Sequence, residues 1–138
     1  MIMVALDRIP AAVAEELTAA FPGQRLLGAW LYGSRAQGSS RADSDIDIAV
    51  LCDSVLDQVM LFDVSGRLAT RLGAHVDLVD LRRAGGLLRV EATQRGRALV
   101  PPAREADFFT THALADHVAF AANRQAATAA MQEKFRAR

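Results

Sequence analysis

A chain of 138 residues has room for one domain with one real core, and just over half of its residues are apolar, which excludes a disordered chain. Sixteen basic side chains cancel sixteen acidic ones. Proteins that grip DNA or RNA along the backbone owe that affinity to a basic excess, so a long polynucleotide is not the expected substrate.

Leu6, Ile9, Val13, Leu17 and Ala20 recur at helical spacing before Pro22-Gly23, which predicts a first amphipathic helix. Arg25 to Tyr32 is a short, mostly apolar run that reads as a buried strand. Gly33 to Ser44 is small and polar, hence a turn or loop, and Asp45 to Leu51 is a second strand. Ser54 is the expected N-cap of a helix carrying Leu61, Val64, Leu68 and Leu72 on one stripe, with Gly73 as its C-cap. His75 to Leu81 is a third strand, Arg82 to Gln94 a further helix ended by Gly96, and Ala98 to Val100 a short strand closed by Pro101-Pro102.

From Glu105 to Arg138 there is no Gly or Pro, and Leu114, Val118 and Ala121 share a face, so a terminal helix or helix pair is predicted. The fold class is α/β (α+β): a small mixed sheet flanked by helices, with a C-terminal helical tail. The expected organisation is a domain over 1–102 and a helical extension over 103–138.

The chemistry concentrates between Gly33 and Asp77. Side chains alternate along a strand, so Asp45 and Asp47 point one way while Ile46 and Ile48 point into the core. Two carboxylates on one face repel each other, and a divalent cation removes the conflict. Hard oxygen ligands with few protein donors suit Mg²⁺, whose shell water and phosphate oxygens complete.

Asp77, between Val76 and Leu78, is the expected third carboxylate. It would serve either at a second metal or as the base for an attacking hydroxyl. Asp80 faces the other way and is the fallback. Gly33 lets backbone approach a phosphate, Ser34 offers a hydroxyl and an N–H, and Arg35 adds a guanidinium suited to a triphosphate. Gly38 keeps that loop flexible.

Gly33-Ser34, ten further residues, then Asp45-Ile46-Asp47 resembles the signature of the DNA polymerase β-like nucleotidyltransferase superfamily. The short chain, the Gly33–Gly38 loop and the strand containing Asp77 are similar to its smallest branch, the MNT-type minimal nucleotidyltransferases. The resemblance implies a polymerase β-like fold. It also implies triphosphate binding at Ser34, Mg²⁺ on Asp45 and Asp47, and a catalytic triad completed by Asp77.

Many MNT-type proteins are antitoxins of HEPN-family RNase toxins, which implies transfer of AMP from ATP onto a toxin tyrosine. A non-catalytic antitoxin acting by sequestration and a small-molecule transferase of the aminoglycoside type are the alternatives. The latter generally carries an extra substrate domain, and the tail after Pro102 is short for one.

His75, His112 and His117 show no metal-ligand spacing and read as surface or capping residues. Trp30 and Tyr32 read as core or rim packing, with flanking of a nucleotide base as the alternative, and Cys52 reads as a small core residue. One cysteine, no leader pattern after Met1 and no apolar run near the roughly 20 residues of a spanning helix make a cytoplasmic protein without a membrane partner the expectation.

Overall fold

The structure, a computed structural model, describes residues 6–33 and 45–136; Ser34, Arg35 and Gly38 lie outside the described residues. Leu6–Arg8 forms a single 3₁₀ turn, and α1 follows over Ile9–Ala20 with a proline in its first turn. Ile9, Ala12, Val13 and Leu17 are buried, whereas Leu6, placed in the 3₁₀ turn, is off the stripe and exposed. The chain then enters β1 (Leu26–Tyr32), β2 (Ile46–Cys52), α2 (Gln58–Leu72) and β3 (Val76–Asp80).

α2 is capped by Asp57, not by Ser54. The Asp57 carboxylate accepts from Met60 N–H at 3.0 Å. The helix starts late because Leu56, 1 % exposed, must first enter the core in extended chain. Ser54 is instead clasped by Gln24: its Oγ accepts from Gln24 Nε2 at 2.6 Å and its N–H donates to Gln24 Oε1 at 3.0 Å. At the other end Gly73 takes the left-handed conformation, and its N–H donates to the Ala69 carbonyl.

The single helix expected over Arg82–Gln94 is divided. Asp80 ties down a turn by accepting from Arg82 N–H at 3.0 Å, and Gly85-Gly86 follows, a pair that weakens any helix. Only then does α3 (Gly86–Val90) form, continued by one π-helical turn, Glu91–Arg95, that stops at Gly96. β4 is Arg97–Ala98, shorter and earlier than the expected Ala98–Val100, although Leu99 N–H still donates to Ala29 O at 2.7 Å.

The tail is one helix, α4 (Arg104–Arg136), rather than a pair. Its expected apolar face is not its packed face: Leu114 and Val118 are exposed, and Ala106 and Ala113 are buried. The start of the helix sets this orientation. Ala103 N–H donates to Leu27 O, Glu105 pairs with Arg25 at 3.1 Å, and Arg82 and Arg89 stack over Phe109.

The sheet order is β3-β2-β1-β4, with β1 antiparallel to both β2 and β4, and β3 parallel to β2. α1 and α2 cover one face through Val13, Leu17, Leu61, Val64 and Leu68, packed against Ile46, Ile48 and Leu78. The opposite face holds Leu27, Trp30, Ala49, Leu51 and Leu81 beneath Ala92 and Ala106. α3 and the first turns of α4 cover only part of that second face, and the uncovered end carries the carboxylates.

Candidate active site

Asp47 is the second residue of β2. Its neighbours Ile46 and Ile48 are fully buried under α1 and α2, so strand alternation turns the Asp47 carboxylate to the other face, where it is half-buried. Asp77 is its direct partner on the parallel strand β3, and Tyr32 its partner on the antiparallel strand β1. Neighbouring strands lie about 4.8 Å apart, so Tyr32, Asp47 and Asp77 form one row across three strands.

Asp45 stands just before β2, exposed, with one carboxylate oxygen 3.6 Å from His75 Nδ1. Asp80 is excluded from this row. It is buried on the α2 side, accepting from Leu56 N–H at 2.9 Å as well as from Arg82 N–H, and its work is to hold two turns.

The row is electrostatically loaded. Burial first, then the charges of Asp77 and Asp45, push the Asp47 carboxyl above its ordinary range, with His75 acting in the opposite direction. Burial, followed by the same Asp47 and Asp77 charges, raises the Tyr32 phenol to about 12. Tyr32 and His75, which spacing alone reads as packing and surface residues, thus border the carboxylates. The pairing register is what sets Tyr32 beside Asp47.

Gly33, at the exit of β1, has φ +75°, and a Cβ there would stand 2.6 Å from Asp47 Oδ2. Glycine suits the left-handed backbone here, and any side chain in its place would have to displace the Asp47 carboxylate.

These donors fit a hard divalent cation. Asp45, Asp47 and Asp77 offer only oxygen, and a positive ion would relieve the repulsion that, after burial, raises Asp47. Among the described residues no three His, Cys, Asp or Glu side chains already converge on one point, so substrate oxygens and water would complete the shell. The anion-binding half of the expected site, Ser34 and Arg35, lies outside the described residues.

Residues 15–105 match the family model described as polymerase beta, nucleotidyltransferase. The chain belongs to the polymerase beta nucleotidyltransferase family. This nucleotidyltransferase is 35 % identical over 97 residues to protein adenylyltransferase MntA of Shewanella oneidensis, a stretch that covers 70 % of each chain.

Among solved structures it is similar to a chain of a toxin–antitoxin crystallised with AMP-PNP, at 32 % identity and a TM-score of 0.75, covering 85 % of this chain and 93 % of that one. It is also similar to a chain of the complex between a tri-AMPylated Shewanella oneidensis HEPN toxin and its MNT antitoxin. There the identity is 28 % and the TM-score 0.72, covering 88 % and 94 %. The polymerase β-like fold and the enzyme class follow from these matches. No helix among the described residues is long and apolar enough to cross a membrane.

Proposed function

We propose that this nucleotidyltransferase moves AMP from ATP onto a tyrosine hydroxyl of a HEPN-family toxin, and so acts as the antitoxin of that pair. The observation that carries the reading is the row of Tyr32, Asp47 and Asp77, with Asp45 beside it and Gly33 shaped to leave room for Asp47. The likeness to MntA and to the two toxin–antitoxin structures supports ATP as donor and a HEPN-family protein as acceptor.

In the proposed step the acceptor oxygen attacks the α-phosphorus of ATP and forms a new P–O bond. The bond from that phosphorus to the β-bridging oxygen breaks, and pyrophosphate leaves with the electron pair. The acceptor proton passes to the Asp77 carboxylate. Asp45, Asp47 and Asp77 would hold Mg²⁺, which would supply positive charge for the entering and leaving oxygens. Gly33, Ser34 and Arg35 bind the triphosphate.

The reaction belongs in the cytoplasm, where ATP is at hand. Residues 1–102 carry the chemistry, and the 103–138 extension meets the partner. Beyond His117 every described residue of α4 is exposed, including Val118, Phe120, Met131 and Phe135.

The test is the intact mass of the HEPN-family toxin after incubation with this protein, ATP and Mg²⁺. One or more added AMP groups are expected, and none with Asp45→Asn or Asp47→Asn. An unchanged toxin mass with RNase activity still suppressed would establish sequestration instead.

A further inference from the structure

β3 is an outer strand of the sheet. His75 O accepts from Ile46 N–H, and Leu81 N–H donates to Val50 O, so the odd-numbered residues of β3 bond to β2. In a parallel ladder the intervening residues then turn their N–H and C=O groups outward, here those of Val76 and Leu78. Among the described residues neither makes a backbone bond outside the sheet.

Exposed strand edges are ordinarily covered or guarded by charge. This one instead borders a groove of about 450 Å³ between β3 and α2, lined by Gln58, Leu61, Phe62, Ser65 and Arg83. Phe62 is 82 % exposed, a large apolar side chain left open to solvent among the described residues. Asp77 belongs to both places: it lines the groove and is the register partner of Asp47.

We infer that the acceptor segment of the protein substrate docks along this groove as an added strand on β3, with its tyrosine opposite Asp77. The inference rests on the protein-adenylylation reading above. Alternation in the added strand does the positioning. The residue opposite Asp77 projects its side chain onto the face that carries Asp47 and Asp77, while its two neighbours project over Leu61 and Phe62.

An edge strand lies about 4.8 Å beyond β3, so the acceptor hydroxyl must reach back across one strand spacing. A serine hydroxyl, one bond past Cβ, stays over its own strand. A phenol spans the gap. The groove therefore selects a tyrosine in extended chain with an apolar neighbour, and excludes proline at the residues that bond Val76 and Leu78.

Two measurements test this with the full chain and a HEPN-family toxin. Amide hydrogen exchange of the complex should show new protection at Val76 and Leu78. Phe62→Ala, at a site too exposed to matter for folding, should raise KM for the toxin about tenfold with Mg·ATP affinity unchanged. Ser65→Trp, which fills the groove, should do the same or more.

Transfer that proceeds at wild-type KM in Phe62→Ala and Ser65→Trp, with Val76 and Leu78 unprotected, overturns the docking and leaves the transferase reading standing. Failure of the wild-type protein to modify the toxin at all overturns both.

Discussion

Two glycines allow the carboxylate geometry to be separated from backbone strain. Gly33 and Gly73 both have positive φ, +75° and +70°, so alanine at either forces an L-residue into the left-handed region at about 1–2 kcal/mol. For a domain of this size that lowers Tm by roughly 3–8 °C in each variant. The surroundings differ. A Cβ at Gly73 meets nothing within 4 Å, whereas one at Gly33 stands 2.6 Å from Asp47 Oδ2.

Ordinary contact begins near 3.4 Å, so the Asp47 carboxylate must retreat by about 0.8 Å. Displacing a reacting group by such a distance costs on the order of a hundredfold in rate. Single-turnover transfer from labelled ATP, beside thermal melts in EDTA, reads both quantities. Gly73→Ala should melt early but transfer normally per folded molecule. Gly33→Ala should melt early and lose about two orders of magnitude in transfer. If Gly33→Ala keeps transfer within fivefold of the wild type, or Gly73→Ala loses as much as Gly33→Ala, the reasoning is wrong.

Asp47→Asn should stabilise the metal-free protein while it abolishes transfer. A raised acid favours the folded state only while protonated, so the metal-free wild type loses stability as pH rises from below 3.8 through the folded value. Melts in EDTA should place the variant about 1–2 °C higher at pH 7, after allowance for solvent screening, with the gap closing toward pH 3. Asp80→Ala should do the opposite. It strands the N–H groups of Leu56 and Arg82, costs about 2–5 kcal/mol in urea unfolding, and leaves transfer per folded molecule intact. Ending the chain after His117 removes only exposed described residues and should shift stability by under about 1 kcal/mol, while toxin binding weakens and Mg·ATP titration is unchanged.

Local periodicity was enough for the helices and strands that form the core. Leu61, Val64, Leu68 and Leu72 repeat every three or four residues, and the alternation around Asp47 names the face it shows, because both patterns follow from backbone geometry within one element. Periodicity failed where a distant group outbid a local one. Ser54 is a good cap in isolation, but Gln24 takes its hydroxyl and Leu56 needs the extended chain, so the helix waits for Asp57. The Arg82–Gln94 helix breaks because Asp80, buried at the end of β3, captures the amide that would have started it.

The face of α4 was misjudged for a related reason. Leu114, Val118 and Ala121 form a stripe, but contacts at Ala103, Glu105 and Phe109 decide which side of the helix meets the domain.

The same division runs through the carboxylate site. Asp45, Asp47 and Asp77 stand out in the sequence as candidates because carboxylates on or beside strands, next to isoleucines and valines, are costly without a purpose. That Asp47 and Asp77 are direct partners, that Tyr32 completes their row and that His75 reaches Asp45 depends on which strands pair and in what register. Register joins residues that are remote along the chain, and no short-range pattern encodes it.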